Sequence, residues 1–241
     1  MAFIKSISGF RGTIGGAPGD NFTPEDIVSC TAAYGTWLLS EGKPAKVIVG
    51  RDARPSGSMV AQLVCSTLQS VGIQVVDLGL STTPTVEMAV PALGAGGGII
   101  LTASHNPKEW NALKLLNEKG EFISAADGKT LLQLVDDAQI TYATVDDLGS
   151  YEQNDAMLEH HFEQVLQHPL VDAAAVQQGG FRVVVDAIYS TGALSIPPLL
   201  EQLGCEVIVL NGEMNGQFAH NPEPLPQHLI DLSAAVKDHQ A

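Results

Sequence analysis

The chain has 241 residues, 45% hydrophobic and 16% charged, a balance that describes a well-cored globular protein and excludes a disordered one. No apolar run approaches the ~20 residues of a membrane span, and the opening MAFIKSISGFRG, with one Lys and no long apolar stretch, does not read as a secretory signal. The net charge of −15 argues against nucleic acid as a partner. Residues 1–119 hold nine basic and nine acidic side chains, whereas residues 120–241 hold three basic and 18 acidic, so the whole −15 sits in the second half. A phosphorylated ligand is therefore expected to meet the first half, and the acidic remainder to act as a solvated surface. Cys30, Cys65 and Cys205 are odd in number and lack metal-type spacing, which suits a reducing, cytoplasmic setting.

Thr23-Pro24-Glu25-Asp26 is a helix start, with a capping Thr, Pro at the first helical position and acids facing the helix dipole. Apolar residues follow at helical spacing until Gly42 and Pro44 end the run. Val47-Ile48-Val49 predicts a buried strand, Gly57 to Val71 a helix with Gly72 past its end, and Ile73 to Val76 the next strand. Thr83-Pro84 opens a short helix, and Gly98 to Thr102 predicts a third strand. Ala112–Asn117 and Glu121–Ile123 flank Glu118-Lys119-Gly120 as a hairpin, and Ser124 with Asp127 caps a helix running to about Gln139. The polar stretch Thr141–Ser150 suits an interdomain connection.

A second unit is predicted from Tyr151, with a helix carrying Met157 to Leu166, a strand Arg182–Asp186, a helix Leu194–Leu203 and a strand Val207–Leu210. Strands alternating with helices at this pace predict an α/β fold: a mixed, mostly parallel sheet covered by helices. The expected domains are residues 1–145 and 151–241. Val47–Gly57 and Val183–Ala193 echo each other, each a β-branched strand, a polar loop and Ser/Thr-Gly before a helix.

The sharpest chemical signal is Thr102-Ala103-Ser104-His105-Asn106-Pro107, placed directly after a strand. Ligands of open α/β sheets bind outside the carboxyl ends of strands, so Ser104 sits where chemistry is usually done. Pro107 stiffens the turn, and His105 and Asn106 add polar groups beside a hydroxyl that is a weak nucleophile by itself. Read from these residues alone, the string could equally be a helix-entry turn. Only 12 Lys and Arg exist, and Arg11 (between Gly9 and Gly12), Arg51, Arg54, Lys108 and Lys114 are all expected in loops or just beyond strand ends. An Arg fork matches phosphate oxygens; the competing role for Arg51 or Arg54 is a loop-bracing ion pair with Asp52. His160, His161 and His168 lack partners in a metal-ligand pattern and read as an exposed helix face.

Gly9 to Gly12, Arg51 to Gly57, Thr102 to Pro107 and Asn111-Ala112-Leu113-Lys114 together resemble the α-D-phosphohexomutases, with Val183 to Gly192 and Asn221-Pro222-Glu223-Pro224 as second-domain landmarks. The resemblance implies an enzyme that interconverts hexose 1-phosphate and hexose 6-phosphate through a phosphoserine and a hexose bisphosphate intermediate, with Mg2+ as cofactor. Ser104 is similar to the phosphoserine, which also faces the metal. His105 and Lys114 resemble proton-transfer residues, Arg11 resembles an active-site Arg, and Arg11, Asn106, Arg51 and Arg54 resemble phosphate contacts.

The family's full proteins have four domains, of which this chain resembles the first and part of the second. The Asp-Gly-Asp-x-Asp-Arg metal loop is not in it, since no two aspartates lie two positions apart. The sugar and distal phosphate loops of the later domains are not matched either, and Gly212 to Gly216 reads as a strand-end turn. The resemblance thus implies carboxy-terminal domains as partners and no turnover by residues 1–241 alone. Two other classes compete. A module that binds sugar phosphates or scaffolds without turnover would keep the fold. A serine hydrolase using Ser104 and His105 is disfavoured, because adjacent residues of one turn point apart and no Gly-x-Ser-x-Gly elbow exists.

Overall fold

A computed structural model describes residues 3–6 and 9–241; the expected domain start at residues 1 and 2 lies outside them. The first sheet has seven strands in the order β1-β2-β6-β5-β3-β4-β7, namely β1 (Phe3–Ser6), β2 (Gly9–Thr13), β6 (Trp110–Leu116), β5 (Gly97–Leu101), β3 (Lys46–Arg51), β4 (Gln74–Leu80) and β7 (Tyr151–Gln153). A separate parallel pair joins β8 (Arg182–Asp186) to β9 (Glu206–Leu210). The fold is mixed α/β: β5, β3, β4 and β7 run parallel, and β1, β2 and β6 join antiparallel at one side.

The main core lies between the sheet and α1 (Pro24–Ser40), α2 (Gly57–Ser70) and α4 (Ala125–Asp137). Val47, Val49, Ile99, Leu101, Leu113 and Leu115 point into it from the strands, against Tyr34, Trp37, Val64 and Leu68 of the helices. α1 begins where its cap predicts, because Thr23 and Asp26 bond reciprocally; the Thr23 N–H donates to the Asp26 carboxylate at 3.0 Å. α3 (Thr83–Ala92) covers the opposite face, where Gly50 and Gly98 leave room for Val86 and Val90. Side chains of a strand alternate between faces, so Ile48, Ile100 and Lys114 belong to the α3 side. After β6, Asn117 turns the chain at Gly120, but only the bridge Leu116–Phe122 remains of the predicted second hairpin strand.

The chain divides into two compact units. The first holds residues up to 51, 56–103 and 109–155; the second holds 156–241 together with the short loops 52–55 and 104–108. The predicted boundary between 145 and 151 is corrected here, since Tyr151–Gln153 adds a strand to the first sheet through parallel pairing with Val75–Asp77. Its three residues are polar or amphipathic and exposed, so only the non-local backbone pairing marks it as a strand.

Gly9–Gly12, expected as a loop, is also corrected: it is strand β2, paired antiparallel with β6. Gly9, at φ +132°, passes so close to β6 that a Cβ would fall on the Leu113 carbonyl oxygen. In the second unit, α5 (Met157–Leu166), α6 (Ala173–Gly179), α7 (Gly192–Gln202) and α8 (Ile230–His239) accompany β8 and β9. α6 and α8 are additions to the predicted elements, and α7 starts two residues before its predicted first turn.

Candidate functional site

Ser104 lies three residues beyond β5, at its carboxyl end, exposed and with φ 54°. That left-handed backbone is costly for a residue with a Cβ and persists only where surroundings impose it. Here the imposing group is Arg54. Its guanidinium, 1% exposed, donates from Nη2 to the carbonyls of Ser104 and Asn106, both at 2.8 Å, and from Nη1 to the Pro107 carbonyl at 2.6 Å. Its Nε donates to Asp52 Oδ2 at 3.0 Å, and the Arg54 backbone N–H donates to Asp52 Oδ1 at 3.0 Å. One planar fork thus grips three carbonyls of the serine loop, and a carboxylate balances its charge.

Arg54 therefore faces the backbone of its own site, where its donors go to Asp52 and to three loop carbonyls. Of the two roles weighed for it, the brace with Asp52 is the one observed. Asn106 is half-buried in the same loop, and His105 is exposed, its Nε2 standing 3.4 Å from Glu223 Oε2. Lys108 Nζ donates to Gln217 Oε1 at 2.8 Å.

Within the first unit, Arg11 and Lys114 share one face of the sheet. Arg11 pairs with Ala112 and Gly9 with Lys114, which makes the two basic side chains diagonal cross-strand neighbours on the α3 side. Both therefore lie inside strands, as the predicted strand Ala112–Asn117 has it for Lys114 and contrary to the loop expected around Arg11. Lys114 Nζ sits 5.9 Å from the Phe122 ring centre. Burial pushes the nearby Glu87 carboxyl above its ordinary value, with the Lys114 charge opposing.

Arg51 is placed elsewhere. It is the last residue of β3 and pairs with Leu101, whose side chain enters the α1–α2 core. It lines a cavity of about 490 Å³ with Ser58, Gln62, Asp77 and Tyr151, on the sheet face opposite Arg11 and Lys114. Register parity places Arg51 on the other face of the sheet from those two cations.

At the carboxyl end of β8, Asp186 accepts from Asn211 Nδ2 at 2.9 Å and from the Ile188 N–H at 3.0 Å, and meets His220 Nε2 at 2.8 Å. Burial alone would raise the Asp186 carboxyl, but the hydrogen bonds from Asn211, His220 and Ile188 outweigh it and hold the group below its ordinary value. The Asp186 hydrogen bond in turn raises His220. Stabilisation from His220 is complete below its unfolded value of ~6.5 and is lost as pH rises through the raised folded value; that from Asp186 is complete above ~3.9 and is lost as pH falls through the lowered one. The pair is accordingly worth most between about pH 4 and 6.5. His220→Gln should destabilise the second unit at pH 6 and cost less at pH 8.5, read as the melting-temperature difference from wild type. A difference that is constant with pH would contradict the linkage.

Among the described residues, no group of three or more His, Cys, Asp or Glu side chains is placed to hold a metal ion. These residues do not by themselves fit a resident magnesium ion.

The fold and the strained serine loop define a two-unit α/β protein with its exposed hydroxyl at the carboxyl edge of a mixed sheet. The family model described as phosphoglucomutase/phosphomannomutase, alpha/beta/alpha domain I, matches residues 4–140, and that for alpha/beta/alpha domain II matches residues 159–241. The chain belongs to the phosphoglucomutase/phosphomannomutase family. It is 34% identical over 230 residues to a phosphoglucomutase/phosphomannomutase of Thermococcus kodakarensis, covering 94% of this chain and 50% of the relative. It is 32% identical over 239 residues to a phosphoglucosamine/phosphogalactosamine mutase of Sulfurisphaera tokodaii, covering 98% and 50%.

Among solved structures, a phosphoglucomutase/phosphomannomutase family protein from Burkholderia thailandensis superposes with a TM-score of 0.82 at 26% identity, over 100% of this chain and 52% of that one. A putative phosphomannomutase from Thermus thermophilus gives 0.82 at 29%, over 97% and 52%. The chain spans about half the length of the curated relatives it matches.

Proposed function

We propose that this chain carries the phosphoserine of an intramolecular phosphotransferase that interconverts hexose 1-phosphate and hexose 6-phosphate. The observation that carries the reading is Ser104: an exposed hydroxyl at the carboxyl end of β5, its loop held at φ 54° by the Arg54 fork. Relatives named for glucose, mannose, glucosamine and galactosamine phosphates support a hexose phosphate as the substrate class.

In the first half-reaction the Oγ–P bond of phospho-Ser104 breaks as a P–O bond to one sugar hydroxyl forms, and the hydroxyl proton passes to a protein base. In the second, the other ester bond of the bisphosphate breaks, Ser104 Oγ receives that phosphoryl group, and the freed sugar oxygen takes a proton. Lys114 and His105 are the proposed proton carriers. Arg11, exposed on the Lys114 face, and Asn106 are the proposed phosphate contacts, since phosphoryl transfer depends chiefly on positioning and on cations near the spread negative charge. Ser104 is also proposed to face magnesium; no step here runs through the ion.

Lys114→Met retains most of the side-chain bulk and removes the charge. In the full gene product kcat is expected to fall ~10²-fold or more, as for a general acid–base group, with little change in melting temperature. The assay follows hexose 1-phosphate converted to hexose 6-phosphate. Wild-type turnover by Lys114→Met, or a loss traced wholly to unfolding, would assign Lys114 a packing role over Phe122 instead.

A further inference from the structure

Residues 215–223 make four separate contacts with the loops that carry Arg54 and Ser104. Gly216, at φ +69°, runs so close to loop 52–55 that a Cβ would fall on the Ala53 carbonyl oxygen. Gln217 accepts the Lys108 ammonium at 2.8 Å. The Phe218 ring centre lies 5.1 Å from Arg54 Cζ, and the Glu223 carboxylate meets His105 at 3.4 Å. The segment is anchored in turn, with the Gly216 N–H donating to the Tyr189 carbonyl at 2.8 Å and His220 meeting Asp186 at 2.8 Å; within it the Glu223 N–H donates to Asn221 Oδ1 at 2.9 Å.

These contacts share a geometric logic. A guanidinium donates only in its plane, and Arg54 directs its donors there to Asp52 and to three loop carbonyls. Arg54 Cζ also lies over the Phe218 ring, a contact that adds a cation–π attraction. Phe218 is itself strained, with φ 26°, so two non-glycine residues with left-handed backbones, Phe218 and Ser104, are held through the same Arg54. The Glu223–His105 contact is exposed on both sides, and such pairs add little to stability. What it supplies is a carboxylate that can orient the imidazole.

We propose that residues 215–223 form a strap that positions the Ser104 loop, with Phe218 acting through the Arg54 guanidinium and Glu223 through the His105 ring. Both are positioning residues. Only the kinetic consequence rests on the phosphoserine reading; the restraint on the loop does not.

The test combines amide hydrogen exchange at residues 104–108 of this chain with kcat and KM of the full gene product. Phe218→Leu keeps apolar bulk and removes the ring face; exchange at 104–108 should quicken about tenfold while amides of α1 stay unchanged, as a local opening predicts. Phe218→Tyr should restore the wild-type exchange rate. Glu223→Gln should lower kcat about tenfold with KM within about twofold, as loss of orientation does, and Glu223→Asp should recover part of it.

Wild-type exchange and wild-type kcat in both Phe218→Leu and Glu223→Gln would overturn the strap. Should Phe218→Leu fail to fold, Glu223→Gln, altered only at an exposed carboxylate, decides the matter through kcat alone. Faster exchange in Phe218→Leu alongside a wild-type protein without mutase turnover would uphold the strap and remove the phosphoserine reading. Turnover that depends on Ser104 but is indifferent to Phe218 and Glu223 would do the reverse.

Discussion

Ser104→Ala is expected to reduce mutase turnover of the full gene product by ~10³-fold or more, since it removes the one atom that carries the phosphoryl group. Freshly purified wild-type protein should contain a fraction heavier by ~80 Da, the mass of an added phosphoryl group, on the Ser104 peptide, and the variant should lack it. Stability should barely change, because residue 104 is exposed and Ala pays the same left-handed backbone strain.

Ser104→Gly separates chemistry from fold more sharply. Glycine adopts φ 54° without steric cost, so this variant should be more stable than wild type by up to ~1 kcal/mol and still be inactive. A protein made more stable by the substitution that silences it would show that the strain at 104 is retained for function. Wild-type turnover in either variant would remove Ser104 from the mechanism.

Much of the first unit is legible in its sequence, for local reasons. The α1 start is written in Thr23, Pro24 and Asp26, and the reciprocal cap is present in the fold. β3 and β5 read as strands because Val47–Val49 and Ile99–Leu101 are buried on both faces. The elements that are not legible depend on distant partners. β2 is built on Gly9 and Gly12 around a charged Arg11, a composition that predicts a loop, and only its pairing with β6 makes it a strand. Tyr151-Glu152-Gln153 has no strand pattern and is recruited by the open edge of β4.

The candidate site divides in the same way. Ser104, His105 and Asn106 stand out because they follow a strand end in one short string. The face that each cation occupies depends on register: Arg11 and Lys114 share one, while Arg51 at the end of β3 takes the other. Asn221 to Pro224 stands out as a landmark, but the contacts of the strap carry no local signal, since Gln217 meets Lys108 across 109 positions of sequence.

Arg54→Met is expected to destabilise the second unit by roughly 3–5 kcal/mol, the usual cost of breaking a buried ion pair from one side. The Arg54 side chain is 0% exposed and that of Asp52 12%, so the variant takes the guanidinium's hydrogen bonds away from a largely buried carboxylate and from the carbonyls of Ser104, Asn106 and Pro107. Arg54→Lys should recover only part, because one ammonium cannot span Asp52 and three carbonyls at once.

Adding Asp52→Asn to Arg54→Met removes the uncompensated charge and should return some stability, seen as a higher denaturant midpoint than that of the single variant. Turnover should not return with it. The second substitution supplies no donor to the serine loop, and Ser104 would relax from φ 54° toward ordinary backbone. If the double variant regained turnover in step with stability, Arg54 would be a charge partner of Asp52 and nothing more. Regained stability with turnover still lost would assign the guanidinium the task of holding the phosphoryl-carrying hydroxyl in place.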